Sequence, residues 1–357
     1  MKLRAGLPAI STVAVVVLAV LGGGVVAIRQ HPTTIPAASA VPLRGDPAET
    51  PIKLAGLPVG RTPQLPYLAG RVIKGGAGGD IVVPGKQKIL QAVRYGGSAF
   101  ILLQTGSTGT ELTRIDSIDG AVAERIPDVR SVVGSATQDA VAYATVRSTG
   151  GRVVKGSTVY WQGLGIDERR QLRRPQDWRS TVLTVQGSTV YFAASPGPAV
   201  SKATLHSWDS ATGQVTPLKS VMGSIITNHQ GKLMAIAPRR ACSNLLELAS
   251  GQELWQTCGY AVGGFTFDGT TVFGRSIPDS EDRSAWVAAA VDALTGELKR
   301  RWTGVRFLAG IAEDDDHLLL AVDDGAGSRD AIIRCTIGGG TCEVAAAQSG
   351  LRLLGAR

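Results

Sequence analysis

Seven strand–turn–strand units recur along the chain at intervals of roughly 40–50 residues, with turns centred on Gly79, Gly120, Gly163, Gly213, Gly251, Gly296 and Gly340. A fixed period of this length leaves few folds open. Each unit is too small to bury its own apolar face and has to stack on a copy of itself. The clearest copies cover residues 205–215, around Thr212-Gly213, and 287–298, around Thr295-Gly296, with others at 245–255 and 112–120. In each, an alternating or apolar run leads to Asp or a small polar residue, then Gly, then a second run. Glycine supplies the positive φ of a tight hairpin, and the preceding Asp, Ser or Thr bonds the turn backbone. A second set of hairpins, such as 182–192 and 265–273, lies between these, which makes four strands per period. Helical periodicity is absent after residue 30, where β-branched and aromatic runs dominate. The expected fold is all-β, a β-propeller of four-stranded blades.

The period divides the chain into six complete blades, at about 89–127, 131–175, 181–220, 223–260, 261–304 and 306–347. Three runs are left over: 351–354 at one end, 67–73 and 80–83 at the other. Combining them in one sheet gives a seventh blade and covers an edge that would otherwise invite aggregation. Six blades with a flanking hairpin is the alternative.

Lys2 and Arg4 precede an apolar run at 10–28, followed by Arg29. Nineteen helical residues span about 28 Å, near the hydrocarbon thickness of a bilayer. The expectation is a single transmembrane helix with residues 1–9 in the cytoplasm and the propeller outside the cell membrane. A secretory signal cleaved near Ala40, after Ala38-Ser39, is the other reading. Residues 29–66 carry eight of the 17 prolines and read as a semi-extended linker ahead of a propeller at 67–357.

Cysteine placement agrees with an oxidising compartment. Cys242 and Cys258 are symmetric about Ser250, and Cys335 and Cys342 about Gly338-Gly339, so each pair faces itself across a turn. Two disulfides within blades are expected.

A search for chemistry finds no nucleophile elbow, phosphate loop or metalloprotease helix. Catalytic and cofactor-binding residues are therefore expected to be none. Asp314, Asp315 and Asp316, next to Glu313, could offer oxygen ligands to Ca²⁺, although an acidic turn between two strands has the same composition. The four histidines, His31, His206, His229 and His317, have no paired spacing. Arg169, Arg170, Arg173, Arg174 and Arg179 crowd one inter-strand region, with smaller clusters at Arg239-Arg240 and Lys299-Arg300-Arg301. The part after Arg29 carries a net charge of about +5. Outside the cell that balance suits an anionic envelope polymer, a headgroup surface or an acidic protein, and not nucleic acid.

The turns Trp208-Asp209 to Thr212-Gly213 and Val291-Asp292 to Thr295-Gly296 resemble those of the bacterial PQQ-like, YVTN and WD-repeat-like propeller superfamily, a pattern covering residues 67–357. The resemblance implies that Trp255 and Trp302, a few residues after their turn glycines, dock neighbouring blades. It also implies a diverged, non-catalytic member, because Thr216-Pro217-Leu218 replaces the corresponding Trp after Gly213. The expected function is a membrane-tethered binding or scaffold module for a protein or envelope ligand. The alternative is a diverged propeller enzyme (quinoprotein, lyase or glycan-active) with its site in the central channel.

Overall fold

The computed structural model of the protein describes residues 48–354 apart from 77, 117–119, 167–168, 198–202, 222–223, 229–231, 238–241, 249, 277–286 and 324–329. Six antiparallel sheets of four consecutive strands span 89–127, 129–174, 179–221, 224–257, 260–303 and 306–347 and are numbered one to six here. Their limits lie within three residues of those expected from the period. Sheet seven takes Leu351–Leu353 from one end of the chain and Tyr67–Ala69, Val72–Lys74 and Ile81–Val82 from the other. The junction is antiparallel, with Tyr67 opposite Leu353 and Ala69 opposite Leu351.

Alternation along each strand sends apolar side chains to both faces of a sheet, so both faces must be covered. One apolar cluster lies at each successive junction. Val93 and Phe100 of sheet one meet Val132 and Tyr143 of sheet two. Trp161 meets Val182 and Phe192 at the next junction, and Leu205 meets Leu246 and Leu248 at the third. Trp255 packs with Val262 and Val291, and Phe273 and Trp302 pack with Phe307 and Ile333. Leu319 and Ile332 meet Tyr67 and Leu353, and Leu68 and Ile73 of sheet seven meet Ala99 and Ile101 of sheet one. The stack therefore closes on itself, and each large side chain buried in it contributes about 1.5–3 kcal/mol.

The turn sequence serves this docking. Trp255 donates its Nε1 hydrogen to the Ala293 carbonyl at 2.9 Å, and its ring lies where a Cβ on Gly296 would come within 2.9 Å. Gly296 also has φ 73°, so position and conformation both require glycine. Trp302 is fully buried in the seam between sheets five and six. Five of the seven expected turn glycines have positive φ; Gly79 and Gly163 do not. Gly75, Gly76 and Gly78 make the first of these two turns and Gly165 contributes to the second. Gly163 instead ends a strand where a Cβ would strike the Trp161 ring at 2.6 Å.

Of the linker expected over 29–66, residues 29–47 lie outside the described residues, and the remainder is not a free spacer. From Ala48 onward the chain is laid against the sheets. Ala48–Pro51 forms a fifth, parallel strand on the outer edge of sheet five, with Thr50 opposite Trp302. Ile52 donates its N–H to the Thr303 carbonyl at 2.8 Å and is 2% exposed, with Leu54 and Leu57 packed on the same cluster. Pro58 and Gly60 then bracket Val344 through two backbone hydrogen bonds. Proline tolerates an edge, where its missing N–H costs no ladder bond, and the apolar residues between the prolines provide the burial. Residues 10–28 lie outside the described residues; among those described, no helix is long and apolar enough to cross a membrane.

Candidate functional site

The first strands of six of the sheets, all but sheet four, supply described residues to a cavity of about 250 Å³. Its wall includes Gln91, Val133, Thr184, Phe265, Ile311 and Leu353, each from a different sheet. Among the described residues, the ionisable ones on this wall are Arg94 and Arg352. Arg94, 2% exposed, donates to the carbonyls of Ile73 at 3.2 Å and Gly79 at 2.7 Å. Burial draws its guanidinium below the ordinary range, with Asp80 opposing. Arg352 donates to the Ile89 and Leu90 carbonyls at 2.9 and 3.4 Å and so joins sheet seven to sheet one. Gln91 accepts the Val132 N–H at 3.1 Å across the next junction. This wall can hold a ligand by shape, apolar contact and positive charge.

A second buried cluster escaped sequence reasoning. Arg334, 3% exposed, pairs with Glu313 and Glu343 and donates to the carbonyls of Arg61 at 2.9 Å and Thr62 at 3.1 Å. Glu313 also accepts the Gln64 N–H at 2.7 Å. These bonds clamp residues 61–64 to sheet six. The hydrogen bond to Glu313 and then that to Glu343 hold the Arg334 guanidinium firmly charged, against the opposing effect of burial. Glu313 looks like one member of an acidic run, and nothing in that run marks it as the residue that turns inward.

The five arginines expected as a patch do not act as one surface. Arg169 pairs with Glu124 at 2.5 Å and lies over the rings of Tyr143 and Tyr160. Arg170 lies over Trp161. Arg174 pairs with Asp177 at 2.6 Å and sits over Phe192. Arg179 is partly buried, and Arg173 is exposed. Alternation along Arg170–Arg174 accounts for the split, because residues 170, 172 and 174 face inward and 171 and 173 outward. Lys299 pairs with Asp292, and Arg300 and Arg301 bond within the fold, to the Ile337 carbonyl and the Tyr260 hydroxyl. Arg239 and Arg240 lie outside the described residues.

The acidic run is engaged in its own turn. Asp314 accepts from the backbone N–H groups of Asp316 and His317 and bonds His317 Nδ1 at 2.8 Å. Asp315 accepts the Asp268 N–H at 2.8 Å from the neighbouring sheet. Among the described residues no three His, Cys, Asp or Glu side chains are grouped to hold a metal. His206 stacks on Phe192, and burial followed by the nearby Arg174 lowers its pKa. His31 and His229 lie outside the described residues. Both expected disulfides are formed, Cys242–Cys258 and Cys335–Cys342. They suit an oxidising, extracytoplasmic environment.

No family model matches the chain, and no curated protein matches it in sequence. Solved structures do. An uncharacterized protein from Listeria monocytogenes EGD-e is 10% identical, with a TM-score of 0.50, over 74% of this chain and 84% of that one. A prolyl endopeptidase is 11% identical, with a TM-score of 0.56, over 79% of this chain and 46% of its own. Prolyl oligopeptidase B from Galerina marginata is 10% identical, with a TM-score of 0.53, over 73% of this chain and 42% of its own. The chain thus spans less than half the length of either peptidase. At these identities the likeness extends to fold alone, and together with the closed stack of four-stranded sheets it identifies a β-propeller.

Proposed function

We propose that the chain is a seven-bladed propeller, a diverged relative of the PQQ-like, YVTN and WD-repeat-like superfamily. In this reading residues 10–28 tether it to the cell membrane, and it works outside the cytoplasm as a non-catalytic binding or scaffold module. Its ligand is a protein or an anionic envelope component. One observation carries the reading: the cavity wall combines apolar side chains, amides, hydroxyls and two arginines, a composition suited to holding a ligand by shape, apolar contact and positive charge. The apolar run at 10–28 and the two disulfides support the compartment.

The test is to cross-link the full chain in its native membrane and identify what co-purifies. A recurrent partner, lost when the propeller is truncated, is the expected result. Recovery of the chain alone would favour turnover of a small molecule or glycan, and substrate screening would decide that.

A further inference from the structure

Sheet two contains the two longest strands among the described residues, Ala140–Thr149 with 10 and Arg152–Gly163 with 12. Their neighbours stop short. Val129–Gly134 reaches only to Thr145, and Arg170–Arg174 only to Ser157. Residues 146–156 therefore project beyond the sheet as a two-stranded finger. It turns at Gly150 and Gly151, whose φ of 57° and 74° are those a two-residue hairpin turn requires. The Asp128 and Asp177 carbonyls fix its base, accepting from the N–H groups of Val146 and Gly156 at 3.0 Å each.

The finger bears Arg147, Arg152 and Lys155, all exposed, and Arg130 and Arg173 are exposed on the flanking strands. None of the five pairs with a described carboxylate. No Asp or Glu occurs between residues 140 and 163. Among the described residues two acids stand at its base: Asp128 is half-buried, and Asp177 is buried and taken by Arg174. Thr149 pairs with Arg152 and lies two residues from Arg147, so both arginines are on one face.

We propose that this finger is the docking element for a linear polyanion, a chain of repeating carboxylate or phosphate groups. The proposal rests on the binding-module reading and names its ligand class. Cations spaced along a narrow projecting edge match charge repeated along a flexible chain, and guanidinium forks take either anion bidentately. Among the described residues the large exposed apolar side chains lie elsewhere, at Val59, Val82, Leu164, Ile166, Leu294 and Leu308, so a bilayer would gain no insertion at the finger. Charge and a register shift at Val146/Arg147 also protect a hairpin edge from pairing with another chain. That role does not account for the second cation on the returning strand, which carries both Arg152 and Lys155.

The experiment titrates the full-length protein, held in phosphatidylcholine nanodiscs free of detergent, with labelled polyglutamate, polyphosphate and phosphatidylglycerol vesicles. Polymer binding that weakens with salt is expected. The triple variant Arg147→Gln, Arg152→Gln, Lys155→Gln should bind about tenfold more weakly. The control variant Lys53→Gln, Lys86→Gln, Lys88→Gln, which removes three exposed lysines elsewhere, should bind as the wild type does, with unchanged melting in both. Preference between the polymers identifies the anion. Equal weakening in both variants, binding to vesicles alone, or no polymer binding by the wild type would overturn the proposal. A cross-linked partner retained by the triple variant would overturn the finger and leave the binding-module reading standing. A wild type without any partner would remove that reading itself.

Discussion

Arg334 is the residue whose loss should be felt most. Removing it leaves the buried Glu313 with only the Gln64 N–H and the half-exposed Arg61 guanidinium at 3.6 Å, and breaking a buried pair costs up to about 3–5 kcal/mol. Arg334→Ala should melt well below the wild type, and Glu313→Gln, which keeps a hydrogen-bonding side chain in place, should fall less. Equal melting of Arg334→Ala and wild type would show that the clamp is inessential. The turn aspartates set a pH dependence. The Ser135 and Thr137 hydroxyls hold the Asp139 carboxyl below its ordinary range, and the Ala211 N–H, then the Thr212 and Ser188 hydroxyls, do the same for Asp209. A depressed folded-state pKa contributes stability that is present above the unfolded value of about 3.9 and is lost as pH falls through the folded one. Melting temperature should decline gently as pH falls below about 6.5, where the unfolded chain protonates His206 and the fold resists it, and drop further below about pH 4. Asp139→Asn should melt lower at neutral pH and show a shallower acid loss. Site residues were the least legible part of the sequence. Spacing put Arg169 to Arg179 together, but whether a side chain in that stretch points at a ring, a carboxylate or water depends on strand alternation and on partners 45 residues away, as for Arg169 and Glu124.

At the scale of the element, hairpins were readable because their signals are local. Cys335 and Cys342 are register partners, and Ser243 pairs with Thr257 next to the Cys242–Cys258 bridge, as symmetry about the two turns requires. Each bridge closes a short loop, 16 and seven residues apart in sequence, and should contribute about 2–3 kcal/mol. Cys242→Ser should melt lower than wild type in oxidising buffer and identically in reductant. Equal melting in both buffers would mean the bridge contributes nothing. The segment 48–66 was not legible in the same way. Its prolines forbid a helix or a central strand, which the sequence states clearly. They do not forbid an edge position, and the Ile52 side chain finds its seam only once sheets five and six have been assembled from residues more than 200 positions away.

For the whole molecule, closure depends on three residues pairing with three. A chain ending at Gly350 would lose Leu351–Leu353 and the Arg352 contacts to sheet one, leaving the Tyr67–Ala69 edge and its apolar faces uncovered. Self-association on size-exclusion chromatography with light scattering is the expected outcome; a monomer of unchanged melting temperature would show that closure is dispensable. The laid-down segment 48–66 has a mechanical consequence. A pull on the residues before Ala48 meets the pairing with Arg300–Thr303 first, then Ile52 in its seam, then the Arg334 clamp, and only afterwards Tyr67. Release of those 19 residues frees a tether with a full reach of about 65 Å before any load reaches the closing strand. The segment acts as a row of fuses in series, yielding under tension while the ring keeps its shape.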